Sequence, residues 1–197
     1  GTWLVRIDDV AQTRARRDTN RQIIEALEAS GMRSDESPEY QSARAVRYAS
    51  GLQQLVDKGL AYRCDCSRKT IAATARIGRE GPVYPGTCRY RGLPVDTAGA
   101  WRFAVDRVPI TFEDRVYGSL TQDLADEVGD FVVFRTDGFC AYQLAVVLDD
   151  ADQRITHVVR GADLLWSTPR QIALQRQLGL PTPAYAHVPL VCDALGR

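Results

Sequence analysis

The chain has 197 residues, 45% of them hydrophobic and 25% charged, with 25 basic against 25 acidic side chains and five cysteines. That length suits one sizeable core, or one domain carrying a smaller insert. Zero net charge gives no hint of nucleic acid, no apolar run is long enough to cross a membrane, and an odd set of thiols without a signal peptide fits reduced thiols in a cytoplasmic protein.

The opening segment GTWLVRIDD alternates around Trp3, Val5 and Ile7, which predicts a strand. It reads as though it begins inside a domain. In TNRQIIEALEASG, Thr19 and Gln22 have capping-box spacing, Ile23, Ile24 and Leu27 form an apolar stripe, and Gly31 marks the stop. A second helix is expected from about Ser42 to Lys58, with Val46, Ala49, Leu52, Leu55 and Val56 on one side and Gly59 ending it.

From Leu60 to Pro94 cysteines, glycines and prolines break the helical period. AWRFAVD then alternates as a strand, and PITFEDRVYG reads as a short strand with a turn. Residues 61–128 therefore read as an insert between two parts, 1–60 and 129–197, of one α/β layer. Beyond the insert, DFVVFRTDGF is a strand leading into an Asp137-Gly138 turn, AYQLAVVLDD is ambiguous by period, and ITHVVRGADL is a buried strand with a polar exit. STPRQIALQRQLG carries helix punctuation: Thr168 as N-cap, Pro169 at the first helical position, Gln171 for a capping box and Gly179 at the stop. Strands and helices alternate outside the insert, which favours a parallel sheet.

Charge is unevenly placed. Residues 61–92 hold seven basic side chains against two acidic, and residues 106–130 hold two basic against seven acidic. The basic stretch either meets phosphates or is solvated surface. Lys58 and Lys69 are the only lysines, and neither stands out as a catalyst.

Ligands of open α/β sheets sit beyond the carboxyl ends of the strands. Polar groups fall at three such ends: Asp8 and Asp9, Tyr142, and Arg160 with Asp163. A carboxylate pairs with an ammonium and a guanidinium with a carboxylate, so together these suit a zwitterionic amino acid. No G-x-S-x-G, phosphate-cradling G-x-x-x-x-G-K or H-E-x-x-H is present. The two histidines, His157 and His187, read as core residues, as do Cys140 and Cys192. Cys64, Cys66 and Cys88 have the character of a metal site, but structural zinc closes with four ligands. No histidine lies nearby, so the fourth ligand is open at this level.

Several strings occur in one order: LVRIDD, YRCDCSR, YPGTCR, DFVVFRTDG, AYQLAVVLDD, ITHVVRGADLL, STPRQIALQ and YAHVPLV. Together they resemble the catalytic core of glutamyl-tRNA synthetases, closest to their short glutamyl-Q tRNA(Asp) synthetase branch, over essentially the whole chain. GADLL favours that branch, since the full synthetases usually carry GEDHL. The resemblance implies a Rossmann-type class I synthetase catalytic domain split by a zinc-containing, acceptor-stem-binding insert. It implies activation of glutamate by ATP, with magnesium, to glutamyl adenylate. The branch then passes glutamate to the queuosine base of tRNA(Asp); the full synthetases charge the 3′ end of tRNA(Glu). A non-catalytic RNA-binding paralogue is the third reading, and a monomer is expected.

By motif position the resemblance assigns the substrate ammonium to Asp8, a glutamate contact to Tyr142 and the substrate carboxylate to Arg160. It assigns zinc to Cys64, Cys66, Tyr84 and Cys88, with Tyr90 as the alternative to Tyr84. Ala11 stands where the family often has an acidic residue. The family's two ATP signature segments would precede LVRIDD and follow ALGR, so these 197 residues alone are expected to support no ATP–pyrophosphate exchange.

Overall fold

A computed structural model describes residues 2–10 and 18–192. Ala11 and the ALGR string lie outside the described residues. In chain order the elements are β1 (Arg6–Ile7), α1 (Thr19–Ala29), β2 (Glu39–Tyr40), α2 (Ala45–Asp57), β3 (Ala61–Cys64), α3 (Arg68–Thr74), β4 (Ile77–Gly78) and β5 (Gly81–Pro82). They continue with β6 (Ala100–Phe103), β7 (Ile110–Asp114), β8 (Gly118–Gln122), α4 (Leu124–Glu127), β9 (Phe131–Phe134), α5 (Tyr142–Asp152), β10 (His157–Gly161), α6 (Thr168–Leu178) and β11 (Ala184–Val188). Short 3₁₀ turns, Gln41–Arg44 and Ala162–Ser167, lead into α2 and α6.

Three parallel pairings carry the α/β layer. β1 runs parallel to β2, and β10 runs parallel to β11. In the larger sheet the order is β10-β11-β7-β8, with β7 parallel to β11 and β8 antiparallel to β7. A second sheet, β3-β6-β9, is antiparallel throughout. Strand pairing thus joins residues 110–122 to the C-terminal sheet and joins β9 to β6 of the expected insert.

The core lies where α2, α5 and α6 pack together. Its fully buried members include Leu55, Leu144, Leu148, Leu174 and Val133. α2 and α5 approach closely because residue 51 is glycine: a Cβ there would lie 2.6 Å from Leu148 Cδ1. Asp149 of α5 is fully buried yet satisfied, accepting from Gln41 Nε2 (2.7 Å), Tyr48 Oη (2.9 Å) and Arg44 Nε (2.8 Å). Burial raises its pKa despite these donors.

Several expectations change in detail. Thr19 is the first residue of α1 rather than its cap; Asp18 precedes it, with no side-chain cap bond. The α1 stripe is not buried, and Ile23 is 48% exposed. In α2 the inward residues are Tyr48, Gly51 and Leu55, and Val46 points outward. AYQLAVVLDD is helix α5, with every residue from Leu144 to Asp149 buried. β10 is an edge strand, so it is half-exposed, and His157 is on the surface between Arg115 and Thr156. Cys140 is buried as expected, but Cys192 is exposed.

The two oppositely charged stretches meet each other. Arg76 pairs with Asp126 (3.0 Å), Arg79 with Glu127 (3.3 Å) and Arg89 with Asp130 (3.1 Å). Three of the seven basic residues in residues 61–92 are therefore paired with the acidic stretch within the fold.

Candidate functional site

Three parallel strands end side by side at Asp114 of β7, His187 of β11 and Arg160 of β10. Arg160 and His187 are register partners, which places their side chains next to one another. The Arg160 Nε–H donates to His187 Nε2 (3.0 Å). Its Nη2 donates to Thr168 Oγ1 (2.9 Å) and Gln171 Oε1 (2.9 Å) at the start of α6. Gln171 is itself aimed by a bond from its Nε2 to Gln143 Oε1 (3.0 Å). Among the described residues Nη1 donates to no protein group.

These contacts correct the expected cap of α6. Ser167 precedes the helix, and Thr168 and Gln171 lie inside it with their side chains committed to Arg160. The sequence signature that looked like a capping box is used to fix a guanidinium. Pro169 and Gly179 do punctuate the helix as expected, with Gly179 at φ +68°.

His187 is fully buried, and its Nδ1 lies 2.7 Å from Asp114 Oδ2. The Asp114 carboxylate also accepts from the backbone N–H groups of Val116, Tyr117 and His187. Burial alone would raise the Asp114 pKa, but the His187 bond and the backbone donors outweigh it and hold it below the usual carboxylate value. Sequence reasoning placed His187 in the core and gave it no role. The signal was its register: Tyr185 and His187 are both inward on β11, so a polar ring sits on the buried face.

Asp8 is at the exposed end of β1, where its Oδ1 accepts from Arg6 Nε (2.9 Å). Arg6 also donates from Nη1 to Asp150 Oδ1 (2.8 Å) and Gln153 Oε1 (3.0 Å) on and after α5. Burial would lower the Arg6 pKa, but these carboxylates reverse the effect and raise it, so the guanidinium stays charged. Asp9 is used structurally, capping the 3₁₀ turn through Ser42 N (2.9 Å) and Ser42 Oγ (2.8 Å). Tyr142 opens α5 and is 39% exposed. Burial raises the pKa of Tyr185, with Gln175 and Arg160 opposing it and Asp150 and Tyr142 adding to it. Among the described residues Asp8, Tyr142 and Arg160 make no hydrogen bonds to one another; Arg6 joins Asp8 to Asp150, and Arg160 lies 5.7 Å from the Tyr185 ring. Asp163 is exposed and contributes no bond to Arg160.

The thiols of Cys64, Cys66 and Cys88 lie within 4.8 Å of one another, in a cluster that could hold a metal ion. Tyr84 closes this cluster: its hydroxyl is 3.3 Å from Cys64 Sγ and 3.9 Å from Cys66 Sγ, and Cys66 and Cys88 sulfurs are 3.4 Å apart. A tetrahedral zinc with Zn–S near 2.3 Å needs sulfurs about 3.8 Å apart, so this donor set fits. Tyr90 is 91% exposed, with Arg89 5.9 Å from its ring. Around the cluster, Arg102 donates to Cys64 Sγ (3.3 Å) and lies over the Tyr84 ring (3.8 Å), and Arg91 donates to Cys88 Sγ (3.3 Å). Burial would raise the Cys64 thiol, but Tyr84 and Arg102 lower it. Burial and the Cys88 bond push Cys66 up to about 11.

Residues 1–196 match the family described as tRNA synthetases class I (E and Q), catalytic domain. The chain belongs to this family. It is 52% identical over 199 residues to the glutamyl-Q tRNA(Asp) synthetase of Thiobacillus denitrificans, covering 100% of this chain and 65% of that one. With the glutamyl-Q tRNA(Asp) synthetase of Burkholderia cenocepacia the identity is 53% over 203 residues, covering 100% and 68%. The chain spans about two thirds of the length of the curated relatives it matches. Among solved structures, a glutamate tRNA ligase from Elizabethkingia meningosepticum, in complex with its amino acid, superposes with a TM-score of 0.82 at 25% identity. That match covers 98% of this chain and 43% of the other. The α/β class I synthetase fold expected from the sequence strings is therefore borne out, and the strand ends of this synthetase domain lie where such a fold binds ligands.

Proposed function

We propose that the protein carrying this synthetase domain activates glutamate with ATP and passes it to the queuosine base of tRNA(Asp), the domain alone supporting no ATP–pyrophosphate exchange. In the first step a glutamate carboxylate oxygen attacks the α-phosphorus of ATP, forming glutamyl adenylate and releasing pyrophosphate. In the second the queuosine base takes the glutamyl group and AMP leaves. The observation that carries this reading is the match of the whole chain, at 52% and 53% identity, to glutamyl-Q tRNA(Asp) synthetases. The likeness to glutamate tRNA ligases supports glutamate as the amino acid and keeps charging of tRNA(Glu) as the second reading.

In this reading Arg160 offers Nη1 to the substrate carboxylate, Asp8 meets the ammonium through the oxygen not held by Arg6, and Tyr142 lines the pocket. Residues 61–128 form the insert that meets the tRNA, set between catalytic parts 1–60 and 129–197. Cys64, Cys66, Tyr84 and Cys88 hold a structural zinc, which would close the loop-rich insert rather than take part in the reaction. Magnesium accompanies ATP. The enzyme acts in the cytoplasm as a monomer.

Calorimetry of glutamate binding tests the amino-acid site. Removing a charge-assisted contact costs about 1.5–3 kcal/mol, so Arg160→Ala is expected to weaken binding by about tenfold to a hundredfold. Unchanged affinity would remove Arg160 from the site. Metal analysis is expected to find one zinc per chain, and Cys88→Ser to lose it. Three freely titrating thiols and no metal would contradict the metal assignment.

A further inference from the structure

We propose that Asp114 and His187 are positioning residues that fix the aim of Arg160 by setting the tautomer of the His187 ring. The proposal rests on the reading of Arg160 as the carboxylate-binding group. Its geometry is independent of that reading. A guanidinium has donors only, so His187 Nε2, 3.0 Å from Arg160 Nε, must present its lone pair. An imidazole with a lone pair on Nε2 carries its proton on Nδ1, and Nδ1 faces the Asp114 carboxylate at 2.7 Å. Asp114 Oδ2 accepts from Nδ1–H, and the lone-pair side of the ring faces Arg160.

The three residues sit on three adjacent strands, β7, β11 and β10, at their carboxyl ends. Asp114 and His187 are buried, whereas Arg160 is half-buried at the edge. Order therefore runs outward, from a carboxylate locked by backbone N–H groups, through a buried ring, to the guanidinium that meets the ligand. Thr168 and Gln171 fix Nη2 from the other side. With Nε and Nη2 both held, the one freedom left to the group is the ligand on Nη1. Pre-set geometry of this kind raises affinity by removing an ordering cost from binding.

Asp114→Asn is the informative variant. Its amide oxygen can keep the Val116 and Tyr117 N–H groups, while its NH₂ turns to His187 Nδ1. An amide donor there forces the proton to Nε2, which then opposes the Arg160 Nε–H, donor against donor. Nitrogen-15 NMR of the imidazole reads the tautomer, and calorimetry reads glutamate affinity. The expected result is an Nδ1–H ring in the wild type, an Nε2–H ring in Asp114→Asn, and glutamate binding weakened about tenfold with ATP binding unchanged. If Arg160→Ala weakens binding while Asp114→Asn leaves either the tautomer or the affinity as in the wild type, the relay is overturned and the Arg160 site stands. If Arg160→Ala itself leaves affinity unchanged, the carboxylate reading falls and the relay loses its purpose with it. Should Asp114→Asn fail to fold, His187→Gln keeps an acceptor for Arg160 and His187→Phe does not. Near-normal affinity in the first and about tenfold loss in the second supports the relay; equal affinities overturn it.

Discussion

Asp114 is a carboxylate whose pKa is held low by His187 and three backbone N–H groups against the opposing effect of burial. A depressed folded pKa contributes stability that is fully present above the unfolded value, near 3.8, and is lost as pH falls through the folded value. Urea midpoints should therefore decline below about pH 4, and Asp114→Asn should flatten that decline. An identical acid slope in the variant would show that Asp114 is not a source of it. At this scale the sequence was legible in part. Arg160, Asp8 and Tyr142 stand at strand or helix ends, where polar residues are conspicuous. His187 and Asp114 are not conspicuous, because a satisfied buried pair looks like any core residue until its partners are known. Tyr84 differs from both: residue spacing left the fourth partner of the three thiols open, and the resemblance named Tyr84, whose hydroxyl lies 3.3 Å from Cys64 Sγ.

Between elements, the tightest approach is that of α2 and α5 at Gly51. Gly51→Val would drive a branched side chain into Leu148, which is fully buried. Overpacking of this kind costs about 1–3 kcal/mol, and the urea midpoint should fall accordingly. An unchanged midpoint would mean that the helices can separate at no cost. Element type was readable where punctuation was local, as in α6 with Pro169 and Gly179. It was unreadable in α5, since a helix buried on several sides loses its apolar period. The α1 stripe misled for the opposite reason: an amphipathic period predicts a buried face only where something packs on it, and none of α1 is buried. The β4–β5 hairpin joins the two regions by contacts no period encodes. Arg79 lies over Trp166 (4.0 Å), and Glu80 pairs with Arg170 of α6 (2.5 Å).

Across the whole molecule, strand pairing and charge tie the expected insert to the rest. β7 joins β11, β6 joins β9, and three basic residues of 61–92 pair with acids of residues 106–130. The sequence displayed that imbalance, but not that the two stretches answer each other. The proposed amino-acid site lies at the carboxyl ends of parallel strands and the cysteine cluster lies on β3 and the loops after it, so each can be altered separately. The central claim is the identity of the acceptor, and charging measures it most directly. The protein carrying this chain should be given ATP, radiolabelled glutamate and, in parallel, queuosine-modified tRNA(Asp), unmodified tRNA(Asp) and tRNA(Glu). The account predicts glutamate on queuosine-modified tRNA(Asp) alone, released when the queuosine base is removed. Label on the 3′ end of tRNA(Glu), with none on modified tRNA(Asp), would contradict it.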